Sequence, residues 1–363
     1  MMLTSICAPL LLLAFLLLSL CAVASATPTD SETEHSGDNR LRGFRKDEDR
    51  WLDASPRVVG GVDTPFSRTW IAVIGTSSSP NQCHGTLVSA DFVLTSATCI
   101  SSAFGGIPSR VVVMPNDNNM RTSPISVANH FIHPCADSSR FRWDVALLKL
   151  GTVLSSAYGP VTFADSDTQV FNGNYLRIIG FGAASDSDRT SASPALQEAT
   201  LSYERLCGSS IPGYDAATHL CANAPNTTDV GPCDGDSGSP IGLTDLDATT
   251  GAFTQVGILT GFYRDPNTGS ARCGDDTHYH LYTRVSSVSN WAKTIICDNT
   301  AEATKPSFCN SFDRDGGGGV CATSGGDPPP CAPREWLQQA ANQITSFVGE
   351  GSQQVFRFFG GGV

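Results

Sequence analysis

A chain of 363 residues with 40% hydrophobic content exceeds what one small domain needs and can fill a sizeable core. Only 16% of its residues are charged, and Gly, Pro, Ser and Thr are abundant, which favours loop-rich β structure over a helical bundle. The formal net charge of -12 argues against phosphate-backbone binding, which needs a surplus of Lys and Arg, so no nucleic-acid partner is expected.

Residues 1–26 read as a secretory signal peptide. An apolar run over residues 10–20 is followed by Ala22, Ala24 and Ala26, small residues at which a signal peptidase can cut. The run is short for a membrane anchor, although no Lys or Arg precedes it, and no later stretch is a membrane candidate. The expected location is therefore extracellular. Cys7 and Cys21 leave with the signal, so eleven of the 13 cysteines remain for an oxidising compartment to pair. Eleven is odd: one thiol is free, pairs between chains, or is lost when the tail is processed.

Residues 27–57 are polar and charged with little to bury, as expected of a disordered pro-segment. Within them Arg40, Leu41, Arg42, Arg45 and Lys46 precede Asp47, Glu48, Asp49 and Arg50. This order resembles the basic-then-acidic translocation motif of secreted oomycete effectors, with Asn39 where that motif begins on arginine. A solvated charge cluster is the plainer reading.

From Val58 onward the pattern changes to short runs rich in β-branched and aromatic residues, separated by Gly, Pro, Asn and Ser. Strands are expected over residues 70–74, 86–95, 111–114, 145–150, 176–181, 256–260 and 280–285. Such a series means a sandwich or a barrel, between which periodicity does not choose. Four motifs do. Arg57-Val58-Val59-Gly60-Gly61, Leu94-Thr95-Ser96-Ala97-Thr98-Cys99, Asp144-Val145-Ala146-Leu147-Leu148 and Cys233-Asp234-Gly235-Asp236-Ser237-Gly238-Ser239-Pro240 follow one another in the order and spacing of the trypsin and chymotrypsin family. The chain resembles that family over residues 58–298, which leaves 299–363 as an extension containing Cys, Gly and Pro. The resemblance implies an all-β fold, a double six-stranded antiparallel β-barrel with a cleft between the barrels. It also implies a closing helix, matched to residues 289–296 with Trp291, Ile295 and Ile296 on one side.

Carried over residue by residue, the resemblance implies the disulfides Cys83–Cys99, Cys207–Cys221 and Cys233–Cys273. Cys135 is conjectured to pair with Cys297, and a free Cys135 is the other reading. Cleavage after Arg57 would free the amine of Val58 to pair with Asp236, a switch that orders the pocket; otherwise the cut only removes the pro-segment. Gly235 and Ser237 would offer backbone N–H groups to a developing oxyanion. Ser237 falls on the nucleophile position and Asp144 on the orienting carboxylate. The histidine position is occupied by Thr98. Threonine has no basic site near neutral pH and cannot take the serine proton.

The expected specificity pocket is altered as well. Gly231 stands where trypsin-like members carry an aspartate, Phe262 and His280 replace two glycines of the walls, and Gly261 replaces a tryptophan. An insertion over residues 264–270 lies nearby, and Ser239 replaces the second glycine after the serine. His84, beside Cys83, is expected to be structural or binding, with a catalytic use as the minor reading. His130 and His133 are read as surface or packing residues.

Past residue 299, Gly316–Gly319 and Pro328–Pro330 mark linker pieces, and residues 335–348 have helical spacing of apolar residues, with Pro333 and Gly349 as bounds. Cys309, Cys321 and Cys331 cannot all pair among themselves. Asn226 begins a glycosylation sequon. No Cys/His spacing makes a metal site, and no cofactor is expected. The missing base and the altered pocket together predict a secreted, catalytically inactive homologue that binds or inhibits an extracellular hydrolase. Among such proteins the chain resembles the oomycete glucanase inhibitor proteins, which implies a host β-1,3-glucanase as partner. The alternative is a secreted serine-type endopeptidase with an atypical or weakened site.

Overall fold

A short first strand, β1 (Val62–Asp63), precedes six that close on themselves. These are β2 (Ile71–Gly75), β3 (Cys83–Ser89), β4 (Phe92–Thr95), β5 (Arg110–Val113), β6 (Ile125–Ile132) and β7 (Ala146–Leu150). They pair antiparallel in the order β2-β3-β4-β7-β6-β5. The computed structural model describes residues 58–65, 67–75, 83–100, 108–113, 123–137, 141–165, 168–182, 195–205, 207, 211, 214–225, 230–233, 235–244, 251–262, 273–274 and 279–311. Ile71, Ile74, Leu87, Leu94, Leu147 and Leu148 are fully buried in the core. Branched side chains suit a pleated, tightly curved surface, and these strands are rich in them.

The run expected as one strand over 86–95 is instead a hairpin. It turns at Ala90 and Asp91, where the Ser89 hydroxyl donates to Asp91 Oδ1 at 3.1 Å. A short polar pair inside an apolar stretch is enough to reverse the chain, since each side chain can bond its local backbone or neighbour.

The second barrel uses β9 (Tyr175–Gly180), β10 (Gln197–Tyr203), β11 (His219–Asn223), β12 (Pro240–Thr244), β13 (Phe253–Phe262) and β14 (His280–Arg284). It closes because β9 pairs with both β10 and β12. Strand β1 adds to β10, and a two-residue strand, β8 (Thr162–Phe163), pairs in parallel with β13. The double six-stranded antiparallel barrel expected from the motifs is thus the fold.

Glu198 on β10 ties the start of the domain to this second barrel. It is buried, accepting from the Thr64 hydroxyl at 2.9 Å, from Arg177 at 3.0 Å and from Arg68 at 3.4 Å. Arg68 also donates to the Gly251 carbonyl at 2.6 Å and lies against the stacked rings of Trp70 and Phe253. Burial lowers the Arg68 pKa, and Glu198 opposes that shift.

Helix α1 (Val285–Asn299) begins four residues earlier than expected, because Val285 and Val288 extend the buried side formed by Trp291, Ala292, Ile295 and Ile296. The chain does not leave the barrel at residue 299. Two 3-10 turns follow, Glu302–Thr304 and Ser307–Asn310, and Phe308 packs edge-on against Phe163 with ring centroids 6.0 Å apart. Cys297 is bonded to Cys309, which overturns the conjectured Cys135–Cys297 pair. The alternative of a free Cys135 is also overturned, since Cys135 is itself disulfide-bonded. The turn after α1 brings Cys309 back onto the helix end, where it meets Cys297.

Removing one member of a buried ion pair leaves the other uncompensated, which costs roughly 3–5 kcal/mol. Glu198→Ala is therefore expected to lower unfolding stability by about that amount in urea titration. A loss below about 1 kcal/mol would show that the Glu198 pair contributes little to holding Arg68.

Candidate active site

The cleft is assembled from three segments. Strand β4 ends in a 3-10 turn, Ala97–Ile100, that carries Thr98; Asp144 immediately precedes Val145 and β7; and Thr260 lies on β13. Asp144 is almost fully buried, and its carboxylate is enclosed by protein donors. The Thr98 backbone N–H donates to Oδ1 at 2.8 Å and the Thr98 hydroxyl to Oδ2 at 3.2 Å. The Thr260 hydroxyl makes a short bond to the same Oδ2. Ser96 Oγ is 2.9 Å from Thr98 Oγ1. Burial pushes the Asp144 carboxyl up from an ordinary 3.8 to about 6, opposed by the bonds from Thr260, Thr98 and Ala97. Every neighbour holding this carboxylate is a neutral hydroxyl or amide.

The nucleophile-position loop lies on the other side. Gly235 and Gly238 have φ of 91° and 82°, a region open to glycine and strained for other residues. At Gly238 a Cβ would also run into the His84 carbonyl oxygen and the Thr95 hydroxyl. Among the described residues no hydrogen bond reaches Ser237 Oγ, and the N–H groups of Gly235 and Ser237 donate to no protein acceptor. Two amide donors and a hydroxyl of one loop thus have no partner among the described residues.

Among the described residues, the rings of His84, His133 and His219 are engaged with other groups. His84 is buried, with Nδ1 3.0 Å from the Gly235 carbonyl and Nε2 3.3 Å from the Phe181 N–H. His133 is buried between Trp143 and Trp291, and loss of solvent drops its pKa to about 3. It is a packing residue. His130, on β6, is partly buried and its pKa is lowered by that burial. His219 accepts the Asp215 N–H at Nδ1, 3.0 Å, leaving Nε2 to donate to the Phe141 carbonyl at 2.9 Å.

At the expected pocket, the His280 ring presses on Gly231, where a Cβ would clash with it. Phe262 and His280 are backbone partners across β13 and β14, and the Phe262 side chain lies outside the described residues. Val59 and Gly231 exchange backbone bonds of 3.0 and 3.1 Å, so the segment after Arg57 is docked against the pocket base with Val58 buried. Asp236 is buried and accepts the Cys233 N–H at 3.0 Å. Disulfides join Cys83 to Cys99, Cys207 to Cys221 and Cys233 to Cys273. Arg57, Asp234, Asn226, residues 1–56, the 264–270 insertion and all of 312–363 lie outside the described residues.

Phe141 was not singled out by sequence reasoning. Its ring rests on Gly261, 3.2 Å from where a Cβ would stand, and so fills the space that the absent larger side chain leaves. Phe141 and Trp143 are the non-glycine residues with positive φ among the described residues, at 54° and 45°. The bond from His219 to the Phe141 carbonyl supports that strained turn. A run of two aromatics around Arg142 just before Asp144 was the available signal, but nothing local shows that the turn folds onto β13.

A pair of barrels with a buried carboxylate where they meet and a hydroxyl-bearing loop of paired glycines defines a trypsin-like serine protease homologue. The trypsin family model matches residues 58–292, and the chain belongs to that family. It is 25% identical over 246 residues to trypsin iota of Drosophila melanogaster, covering 66% of this chain and 88% of that protein. Snake venom serine protease catroxase-2 of Crotalus atrox is 28% identical over 262 residues, covering 70% and 92%. Granzyme H of Homo sapiens is 28% identical over 197 residues, covering 52% and 78%. Disulfides suit an oxidising compartment, and among the described residues no helix is long and apolar enough to cross a membrane.

Because the folded carboxyl of Asp144 holds its proton up to about pH 6 while an unfolded one releases it near 3.8, stability falls as pH rises through that window. The penalty is complete above it, at about 3 kcal/mol. Thermal melts of the natural chain and Asp144→Asn between pH 3.5 and pH 7.5 check this: their difference should shift against the natural chain across the window. A constant difference would show that folding leaves the Asp144 carboxyl titrating where it does in the unfolded chain.

Proposed function

We propose that this protein is a secreted, catalytically inactive trypsin-family homologue that binds another extracellular protein through the cleft between its barrels. The observation that carries the reading is the Thr98 hydroxyl bonded to Asp144 in the place of an imidazole, with no hydrogen bond to Ser237 Oγ among the described residues. A serine hydroxyl needs a positioned base, and loss of the histidine from a subtilisin triad lowers kcat by about 2 × 10⁶. That is roughly 9 kcal/mol of transition-state stabilisation. In the proposed roles, Gly235 and Ser237 keep their donors for a bound carbonyl, and Val58 with Asp236 keeps the loop ordered after cleavage at Arg57. His280, packed on Gly231, gives a pocket that differs from a lysine- or arginine-reading slot. The partner we assign is an extracellular hydrolase, with a β-1,3-glucanase first because a broken triad joined to glucanase inhibition is the resemblance set out above.

The second reading is a serine endopeptidase, favoured by the docked Val59 and the open N–H groups of Gly235 and Ser237. One experiment separates the two. Protein cleaved after Arg57 and its Thr98→His variant are incubated with a serine-reactive organophosphonate. Labelling at Ser237 of the variant only is expected; equal labelling of the natural chain, with peptide turnover lost in Ser237→Ala, would establish the endopeptidase. In parallel, purified plant β-1,3-glucanase assayed with the natural chain should lose activity in a saturable manner, and no inhibition with no binding would remove glucanase as the partner.

A further inference from the structure

We propose that His84 is a positioning residue that clamps the Gly235–Gly238 loop with its two N–H donors inward. The clamp does not depend on whether Ser237 turns over a substrate.

His84 sits on β3 of the first barrel, paired with Val73 of β2, and meets the loop with both its backbone and its ring. Its backbone N–H donates to the Ser237 carbonyl at 2.8 Å. Its own carbonyl accepts the Thr95 hydroxyl at 2.7 Å and packs against Gly238, which leaves no room for a side chain there. The ring tautomer follows from its neighbours. The Phe181 N–H donates to Nε2 at 3.3 Å, so the proton sits on Nδ1 and is donated to the Gly235 carbonyl at 3.0 Å. The ring also stacks on Phe181, 5.9 Å between centroids and 14° between planes. One residue thus joins the first barrel, the nucleophile-position loop and the strand end at Phe181 in the second barrel.

The consequence lies in which peptide groups are held. Holding the Gly235 carbonyl fixes the peptide joining Gly235 to Asp236, and holding the Ser237 carbonyl fixes the one joining Ser237 to Gly238. The Ser237 N–H belongs to the peptide between these two. With both neighbours pinned, that N–H cannot rotate away from the cleft without breaking a buried bond. The Gly235 N–H lies one rotatable glycine before the first pin. The Gly235 carbonyl would otherwise be free to turn inward and place an acceptor where a ligand needs donors.

Asparagine and glutamine divide the imidazole between them. His84→Asn keeps an N–H donor near the position of Nδ1, facing Gly235, and loses the acceptor for Phe181. His84→Gln reaches the Nε2 position and can accept from Phe181, but gives up the bond to Gly235. Each variant loses one buried hydrogen bond, so a purely structural role moves both together. Amide hydrogen exchange of the natural chain reads the loop directly, because the Gly238 and Ser239 N–H groups bond to Leu259 and Asp236 at 2.8 Å. Exchange at these amides should quicken roughly fivefold in His84→Gln and His84→Ala, the worth of one net hydrogen bond, and stay near the natural rate in His84→Asn. In the Thr98→His background, organophosphonate labelling should slow by a similar factor in the Gln variant and not in the Asn variant. Equal exchange in the Asn and Gln variants, or no change in either, would overturn the clamp; failure of Thr98→His to label would count against the proposed function and leave the exchange result standing.

Discussion

A carboxylate buried where two barrels meet must be either paired with a cation or fully hydrogen-bonded, and this constraint shapes the cleft. Asp144 has taken the second course. Its oxygens are met by the Thr98 N–H and hydroxyl and by the Thr260 hydroxyl, all neutral. Neutral donors lower the cost of the charge without cancelling it, which is why burial still dominates and raises the carboxyl to about 6. An imidazolium at the same place would act in the opposite direction. Thr98 and Thr260 therefore surround this carboxylate with a hydroxyl cage and no charge pair.

The cage is local, and its surroundings have not collapsed with it. Thr98 stays fixed by the Cys83–Cys99 disulfide beside it and by Ser96, and the facing loop keeps its two left-handed glycines. The Val59–Gly231 bridge docks the start of the domain under the same loop, while Glu198 holds Thr64 and Arg68 a few residues later. Several independent bonds hold the donor-lined half of the cleft, so loss of one side chain in the other half leaves it standing. The proposed binding without turnover rests on this separation, in which the Gly235–Gly238 loop and the Asp144 cage belong to different segments.

Much of this was legible in the sequence, for identifiable reasons. Motifs around Val58, Thr98, Asp144 and Ser237 are short, contiguous and rich in glycine or cysteine, so their local geometry is written in their order. Strands β2, β5, β7 and β9 announce themselves by branched apolar runs. Strand β10 does not, because Gln197 and Glu198 open it and are buried with bonds to Asp63, Thr64 and two arginines distant in the chain. The helix start was hidden because Val285 reads equally well as the end of a strand. The Cys297–Cys309 bond was missed because its loop closes through the packing of Phe308 on Phe163, a contact between residues 145 positions apart in sequence.

The same distinction applies inside the cleft. Replacing a glycine by a large residue is visible in the sequence, but which space it enters is not. His280 could have pointed into an open slot; instead its ring lies on Gly231, the position at which a family aspartate would have competed for that volume. Gly261 looked like the loss of an aromatic wall, yet Phe141 has swung onto it from a strained turn supported by His219. These are exchanges between a small and a large residue on facing segments, and packing density makes them necessary, because an unfilled void beside a barrel seam forfeits contact energy on every side. The space beside Gly231 and Gly261 is thus filled by His280 and Phe141, which come from other segments of the chain.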